Sequence, residues 1–314
     1  MKSSSFRKIA ALTATAALIL AGTTACGRGG GDAGGSTKIV MAISTLNNPF
    51  FVELRDGAQA AAKKAGVQLN IVDAQNDSAT QANQLATAAA GATKAVIVNP
   101  VDSDAAASAV KALTKADIPV VAVDRTVNGA ALTSLVASDN VAGGRQAADE
   151  LARSMGEKGS VIALQGVSGT SASRDRGAGF AEGMKAYPNI TVVAKQTANF
   201  DRAAALDVTT NLMQAHPEVT GLFAENDEMA LGAVQALGAR AGTVVMVVGF
   251  DGTADGLAAI KKGTLVATIA QQPAELGKLA VELAVKAIKG TKVDKTVPVE
   301  VVSVTKTNVG DFAK

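Results

Sequence analysis

The chain has 314 residues, 48% of them hydrophobic and 18% charged, enough to bury one large core or two ordinary ones. Aromatic residues are only 3%, with no Trp and a single Tyr, so any core must be built from Ala, Val, Ile and Leu, and the place of each Phe is informative. The formal net charge of +2 is no nucleic-acid footprint, and three of the cations (Lys2, Arg7, Lys8) lie in a leading segment without acids, which leaves the remainder close to neutral and implies neither nucleic acid nor an anionic membrane surface as partner.

Residues 1–25 read as an export signal. Lys2, Arg7 and Lys8 supply the positive start, 9–21 form a short apolar stretch, and small residues follow. That stretch is too short to cross a bilayer, which takes roughly 20 apolar residues. Cys26, the one Cys of the chain, cannot form an intramolecular disulfide. Its position after Thr23-Thr24-Ala25 resembles a bacterial lipobox, in which cleavage leaves a lipidated N-terminal Cys, although Thr23 stands where Leu is favoured. The alternative is an ordinary cleaved signal with an incidental Cys. Residues 26–37 follow as a mostly Gly tether, a flexible coil reaching about 17 Å. It lacks the preceding strand and following helix of a phosphate loop.

From Lys38 onward, apolar runs alternate with Ala-rich amphipathic stretches. Strands are expected at 39–44, 69–73, 95–99, 120–124, 135–138, 161–165, 191–194, 221–224, 244–250, 266–270 and 297–304, with helices between them, among them 51–65, 81–91, 141–155, 173–187 and 203–215. Most strand runs are continuously apolar, as in parallel sheets buried on both faces, and the alternation argues an α/β fold. A weak repeat supports two similar lobes. Asn99 and Asp124 end successive strands 25 residues apart, and so do Asn226 and Asp251.

Ligands of open α/β sheets bind beyond the carboxyl ends of the strands. Those ends carry Asn48 with Phe50 and Phe51, then Asp124-Arg125, Arg176, Phe200, Asn226, Asp251 after Phe250, and Gln271. Planar amides, carboxylates and guanidinium groups hydrogen-bond adjacent sugar hydroxyls in pairs, and Phe rings pack on C–H faces, so the set suits a small polyol. At single positions the same residues serve equally as helix caps or as the start of a buried helix face. Enzyme signatures are absent: there is no G-x-S-x-G elbow and no phosphate loop, and one His and one Cys argue against zinc. His216 reads as a helix-end or turn residue, and Asp73-x-Gln75-x-Asp77, without the Gly and Glu of a calcium loop, as a turn.

The segments 44–51 (STLNNPFF), Asp124-Arg125, Ser138-Asp139-Asn140 with Gly143-Gly144, 169–176 (GTSASRDR), 226–232 (NDEMALG), 247–252 (VVGFDG) and 267–271 (ATIAQ) resemble the ribose-binding members of the type I periplasmic binding protein family, over about 38–304. The resemblance implies two doubly wound parallel-sheet lobes joined by a three-crossing hinge, with crossings near Ser138-Asp139, Gln271-Gln272 and Val301. The N-terminal lobe would be 38–138 plus 272–300, and the C-terminal lobe 139–271 plus 301–314. It implies D-ribose or a similar monosaccharide held by Asn48, Asp124, Arg125, Arg176, Asn226, Asp251 and Gln271 between the rings of Phe50, Phe51 and Phe200. No cofactor, metal or catalytic residue is implied. The expected protein is a monomeric, lipid-anchored, extracytoplasmic subunit that hands sugar to the permease of an ABC importer. The alternatives are the same fold acting on another monosaccharide, a sensory sugar-binding protein, or the effector domain of a sugar-responsive repressor, which the export signal argues against. The tail 305–314 runs past the family's usual end and has no assignable role.

Overall fold

The structure, a computed structural model, describes residues 37–312. The export signal, Cys26 and all of the tether except Thr37 lie outside the described residues. Two six-stranded sheets are each filled in the same way. The first contains β1 (Lys38–Ile43), β2 (Gln68–Asp73), β3 (Ala95–Val98), β4 (Val120–Val123), β5 (Ser134–Ser138) and β11 (Thr296–Val299), in the order β11-β5-β4-β3-β1-β2 and parallel throughout. The second contains β6 (Gly159–Gln165), β7 (Ile190–Thr197), β8 (Val219–Ala224), β9 (Met246–Asp251), β10 (Ala267–Ala270) and β12 (Val302–Thr305), in the order β12-β10-β9-β8-β6-β7. Apart from the sixth strand, parallel in the first sheet and antiparallel in the second, this is the same winding twice, the topology that the repeated strand-end pattern suggests.

The strand residues are apolar on both faces because both faces are covered. In β1, Ile39, Met41 and Ile43 pack with α1 (Pro49–Ala65) and α9 (Pro273–Ile288), while Val40 and Ala42 point to the opposite core with α2 (Ser78–Ala90) and α3 (Ala107–Lys115). The second sheet repeats this. Val161 and Ala163 join the core under α4 (Asn140–Ser154) and α5 (Ser171–Gly183), and Ile162 and Leu164 join the core under α6 (Arg202–Ala215), α7 (Asp227–Leu237) and α8 (Ala254–Lys262). Helices α1 and α9 approach closely enough that a Cβ at Gly57 would lie 2.1 Å from the Ala274 carbonyl oxygen, so only Gly fits there.

The chain passes between the sheets three times. Strand β5 leads through Asp139, the N-cap of α4, into the helix that covers the second sheet. Strand β10 leads through Gln271 and Gln272 into α9, which covers the first. The third passage corrects an expectation: 297–304 is not one strand but two, β11 in the first sheet and β12 in the second, broken at Glu300 and Val301. A continuous apolar run hides such a break, since both halves are strand-like. This passage has no helix to turn the chain around. Strand β11 runs with its sheet toward the junction, and β12 runs away from it, antiparallel to β10. The passages lie side by side, with Asp139 N–H donating to the Val299 carbonyl (3.1 Å) and Gln272 Nε2 to the Glu300 carbonyl (3.1 Å).

The tail is part of the second core. Helix α10 (Val309–Phe312) buries Val309 and packs Phe312 against the same cluster. His216 stands at the C-terminal end of α6, as expected. Asp73 accepts a turn hydrogen bond from Gln75 N–H (2.8 Å), and Asp77 caps α2.

Candidate functional site

Because every parallel strand ends at the junction, the residues that follow them converge there. A cavity of about 250 Å³ opens between the carboxyl ends of the two sheets. It is lined by Asn48, Phe50, Phe51, Asp124 and Arg125 from the first sheet's side, by Ala172, Arg176, Phe200, Asn226 and Asp251 from the second's, and by Gln271 at a passage between them. All ten residues singled out from sequence are therefore brought to one place, and Ala172 is added. These eleven residues close tightly around the space between the sheets, so the occupant is small.

Local structure sets each side chain. Asn48 and Asn226 are the N-caps of α1 and α7, and each uses Oδ1 to accept from a helix N–H (Phe50 at 2.9 Å, Met229 at 2.9 Å). The cap and the ligand readings thus coincide: the acceptor oxygen is taken by the helix, and of the two amide nitrogens that of Asn226 also donates to the Phe200 carbonyl (3.4 Å), which leaves it one further N–H. Three lining residues have left-handed backbone: Asp124 (φ 66°), Phe200 (φ 59°) and Asp251 (φ 120°). Such conformations cost about 1–3 kcal/mol for residues with a Cβ and concentrate where a side chain must be aimed. The ring of Phe200 lies over Gly166, where a Cβ would come within 2.0 Å of it.

The charges balance, two carboxylates with two guanidinium groups, all nearly inaccessible. Asp124 Oδ2 accepts from Asn99 Nδ2 (3.1 Å) and lies 3.4 Å from Arg125 Nε, while its Oδ1 is buried without a hydrogen-bond partner. Arg125 donates through Nη1 to the Pro100 carbonyl (3.0 Å) and faces the rings of Phe51 (5.2 Å) and Phe200 (5.6 Å). Arg176 donates through Nε to Asn140 Oδ1 (2.8 Å) and through Nη1 to the Glu225 carbonyl (2.6 Å), and lies 3.5 Å from Asp251 Oδ1. Asp251 Oδ1 also accepts from Gln271 Nε2 (2.6 Å), whose Oε1 is buried and unpaired. Burial pushes both carboxylates above the usual range, Asp251 strongly, against the pull of Arg176 on each and of Arg125 on Asp124. Burial likewise lowers Arg125. Buried Oδ1 and Oε1 atoms without a partner are costly, about 1–3 kcal/mol each, until hydroxyl donors meet them.

The fourth ring at a strand end is placed elsewhere. Phe250 is fully buried beneath the Arg176 guanidinium, 3.9 Å from ring centre, and does not line the cavity. Sequence reasoning also missed the supporting residues. Asn99 holds Asp124, and Asn140 and the Glu225 carbonyl hold Arg176. Asn99 was legible as a strand-end residue paired with Asp124 in the repeat. Glu225 is masked by Asn226, which follows it and reads as the strand-end residue, and nothing in the sequence marks Ala172. Among the described residues, no cluster of His, Cys, Asp and Glu is arranged to hold a metal ion, and no helix is long and apolar enough to cross a membrane.

The sequence profile of the periplasmic binding protein domain matches residues 39–292. The ribose import binding protein RbsB of Salmonella typhimurium is 49% identical over 262 residues, covering 83% of this chain and 88% of that protein. The protein of the same name from Bacillus subtilis is 46% identical over 259 residues, covering 82% and 84%. The crystal structure of Caulobacter myo-inositol binding protein bound to myo-inositol superposes with a TM-score of 0.84 at 35% identity, covering 88% of this chain and 95% of that one. The paired doubly wound sheets, the polar cavity at their junction and these relatives agree: the chain belongs to the periplasmic binding protein family.

Proposed function

We propose that this chain is the extracytoplasmic capture subunit of an ATP-driven importer and that it binds D-ribose between its two lobes. The observation that carries the reading is the cavity itself. Ten side chains from both sheets enclose a space suited to one small polyol, with planar polar groups around it and Phe50, Phe51 and Phe200 as apolar walls. The direction of the proposal toward ribose comes from the relatives named for ribose import. The lobes are 38–138 with 272–300 and 139–271 with 301–314. Sugar first meets the residues of one lobe, and closure about the three passages brings the other lobe's hydrogen bonds and excludes water. The permease then reads the closed form. Two carboxylates paired with two guanidinium groups make a binding cage, and the reading assigns no catalytic role. Cys26 carries the lipid that keeps the monomer at the outer face of the membrane.

Titration calorimetry with a panel of monosaccharides tests this. The expected result is one D-ribose per chain with hexoses much weaker, because each hydrogen-bonding group left unpaired by the wrong sugar costs about 1–3 kcal/mol. No heat with ribose and saturable binding of another sugar would overturn the assignment of ligand.

A further inference from the structure

Beside the cavity the two halves of the chain touch directly, without any ligand between them. On the first sheet's side are Ser103, in the loop after β3, and Thr126, next to Arg125. On the second's are Gly169 and Ser171, at the start of α5. Ser103 N–H donates to the Gly169 carbonyl (3.1 Å), Ser171 N–H donates to Ser103 Oγ (3.1 Å), and Thr126 N–H donates to Ser171 Oγ (3.0 Å). Ser103 is 0% exposed and Ser171 5%. A further bond, from Asn128 N–H to the Ser103 carbonyl (2.7 Å), ties the two first-sheet loops together. The contact is tight: a Cβ at Gly169, where φ is +91°, would lie 2.1 Å from Asp102 Oδ2. That carboxylate cannot easily swing aside, since its Oδ1 accepts from both Asp104 N–H and Ala105 N–H (2.8 Å each).

The position of this relay gives it a consequence for binding. Thr126 adjoins Arg125 and Ser171 adjoins Ala172, both of which line the cavity. The relay therefore clips together the segments that present Arg125 from one side and the first turns of α5, with Arg176, from the other. Opening the cleft must break all three bonds at once and expose two buried hydroxyls. We propose that Ser103 and Ser171 are positioning residues for ligand affinity, forming a latch that favours the closed arrangement and slows ligand release without touching the ligand. The proposal rests on the cavity reading above. The latch uses only neutral groups, so its effect is insensitive to salt.

Ser103→Ala removes the acceptor of Ser171 N–H, and Ser171→Ala removes that of Thr126 N–H. Each should raise the dissociation rate of D-ribose roughly fivefold, the worth of one net buried hydrogen bond. The association rate should stay as in the parent. Gly169→Ala wedges the lobes apart and should enlarge the radius of gyration in small-angle scattering, with and without ribose. Unchanged dissociation rates in both Ser variants would overturn the latch. So would a loss that appears only in the association rate. If the parent itself takes up no ribose, the ligand assignment fails and the sugar-free scattering decides the latch: a larger radius in Gly169→Ala supports it, and equal radii overturn it.

Discussion

The Arg176 guanidinium lies 3.9 Å above the centre of the Phe250 ring, and both residues are almost inaccessible to water. The ring sits at the end of β9, one residue before Asp251, and is wedged against Gly143, where a Cβ would come within 2.6 Å of it. A buried cation is thereby held on a negative π face, from which it reaches Asn140, the Glu225 carbonyl and Asp251.

Phe250→Leu keeps the site apolar but removes that face. A desolvated cation–π contact is worth about 1–2 kcal/mol, so ligand affinity should fall roughly 5- to 30-fold. Calorimetry measures it, and affinity equal to the parent's would show that the hydrogen bonds alone hold Arg176.

The two lobes should contribute alike. Arg125→Ala removes charge-assisted hydrogen bonds of about 1.5–3 kcal/mol and leaves Asp124 buried without its neighbour, so affinity should drop at least tenfold. Asp251→Ala should behave similarly from the other side and strand Gln271 Nε2 as well. His216→Ala, at the far end of α6, should leave binding unchanged. Full affinity in both cavity variants would place the ligand elsewhere.

Stability should rise as pH falls toward the carboxylate range. Burial raises Glu225 to about 7, against the hydrogen bonds from Gly166 N–H and the Ser173 hydroxyl and the pull of Arg176 and Lys195. Burial raises Asp227 to about 6 as well, against hydrogen bonds from Thr253 and Thr268. A carboxyl raised on folding prefers its proton in the folded state. Its contribution is complete below the unfolded value, 4.5 for Glu225, and is lost as pH climbs through about 7. The slope per group is at most about 1.4 kcal/mol per pH unit. Glu225→Gln should flatten the melting temperature across this window, and an unchanged pH profile would count against a buried, protonated Glu225.

Cys26→Ser should release the protein from membranes or leave an uncleaved precursor. Mass analysis of the mature protein should find a lipidated N-terminal Cys26, and an unmodified chain beginning at another residue would exclude the anchor.

Much of this molecule was legible from residue order alone. Continuous apolar runs alternating with helical stretches announced parallel strands covered on both faces, because a strand such as 120–123, VVAV, has no side to turn to water. Polar residues directly after such runs announced where a ligand would sit, because parallel winding carries every strand end to the same edge. What the tertiary structure alone decided were relations between segments distant in sequence. Nothing near Phe250 says whether its ring faces a ligand or a guanidinium, since that depends on where α5 brings Arg176. The break at Glu300 and Val301 is equally silent, because the residues on each side are strand formers and only the two sheets they join tell them apart. Ser103 and Ser171 look like ordinary loop and helix-start serines. They become a contact only when two separately wound sheets close on each other, for hydrogen bonds across a junction depend on docking distance and not on local propensity.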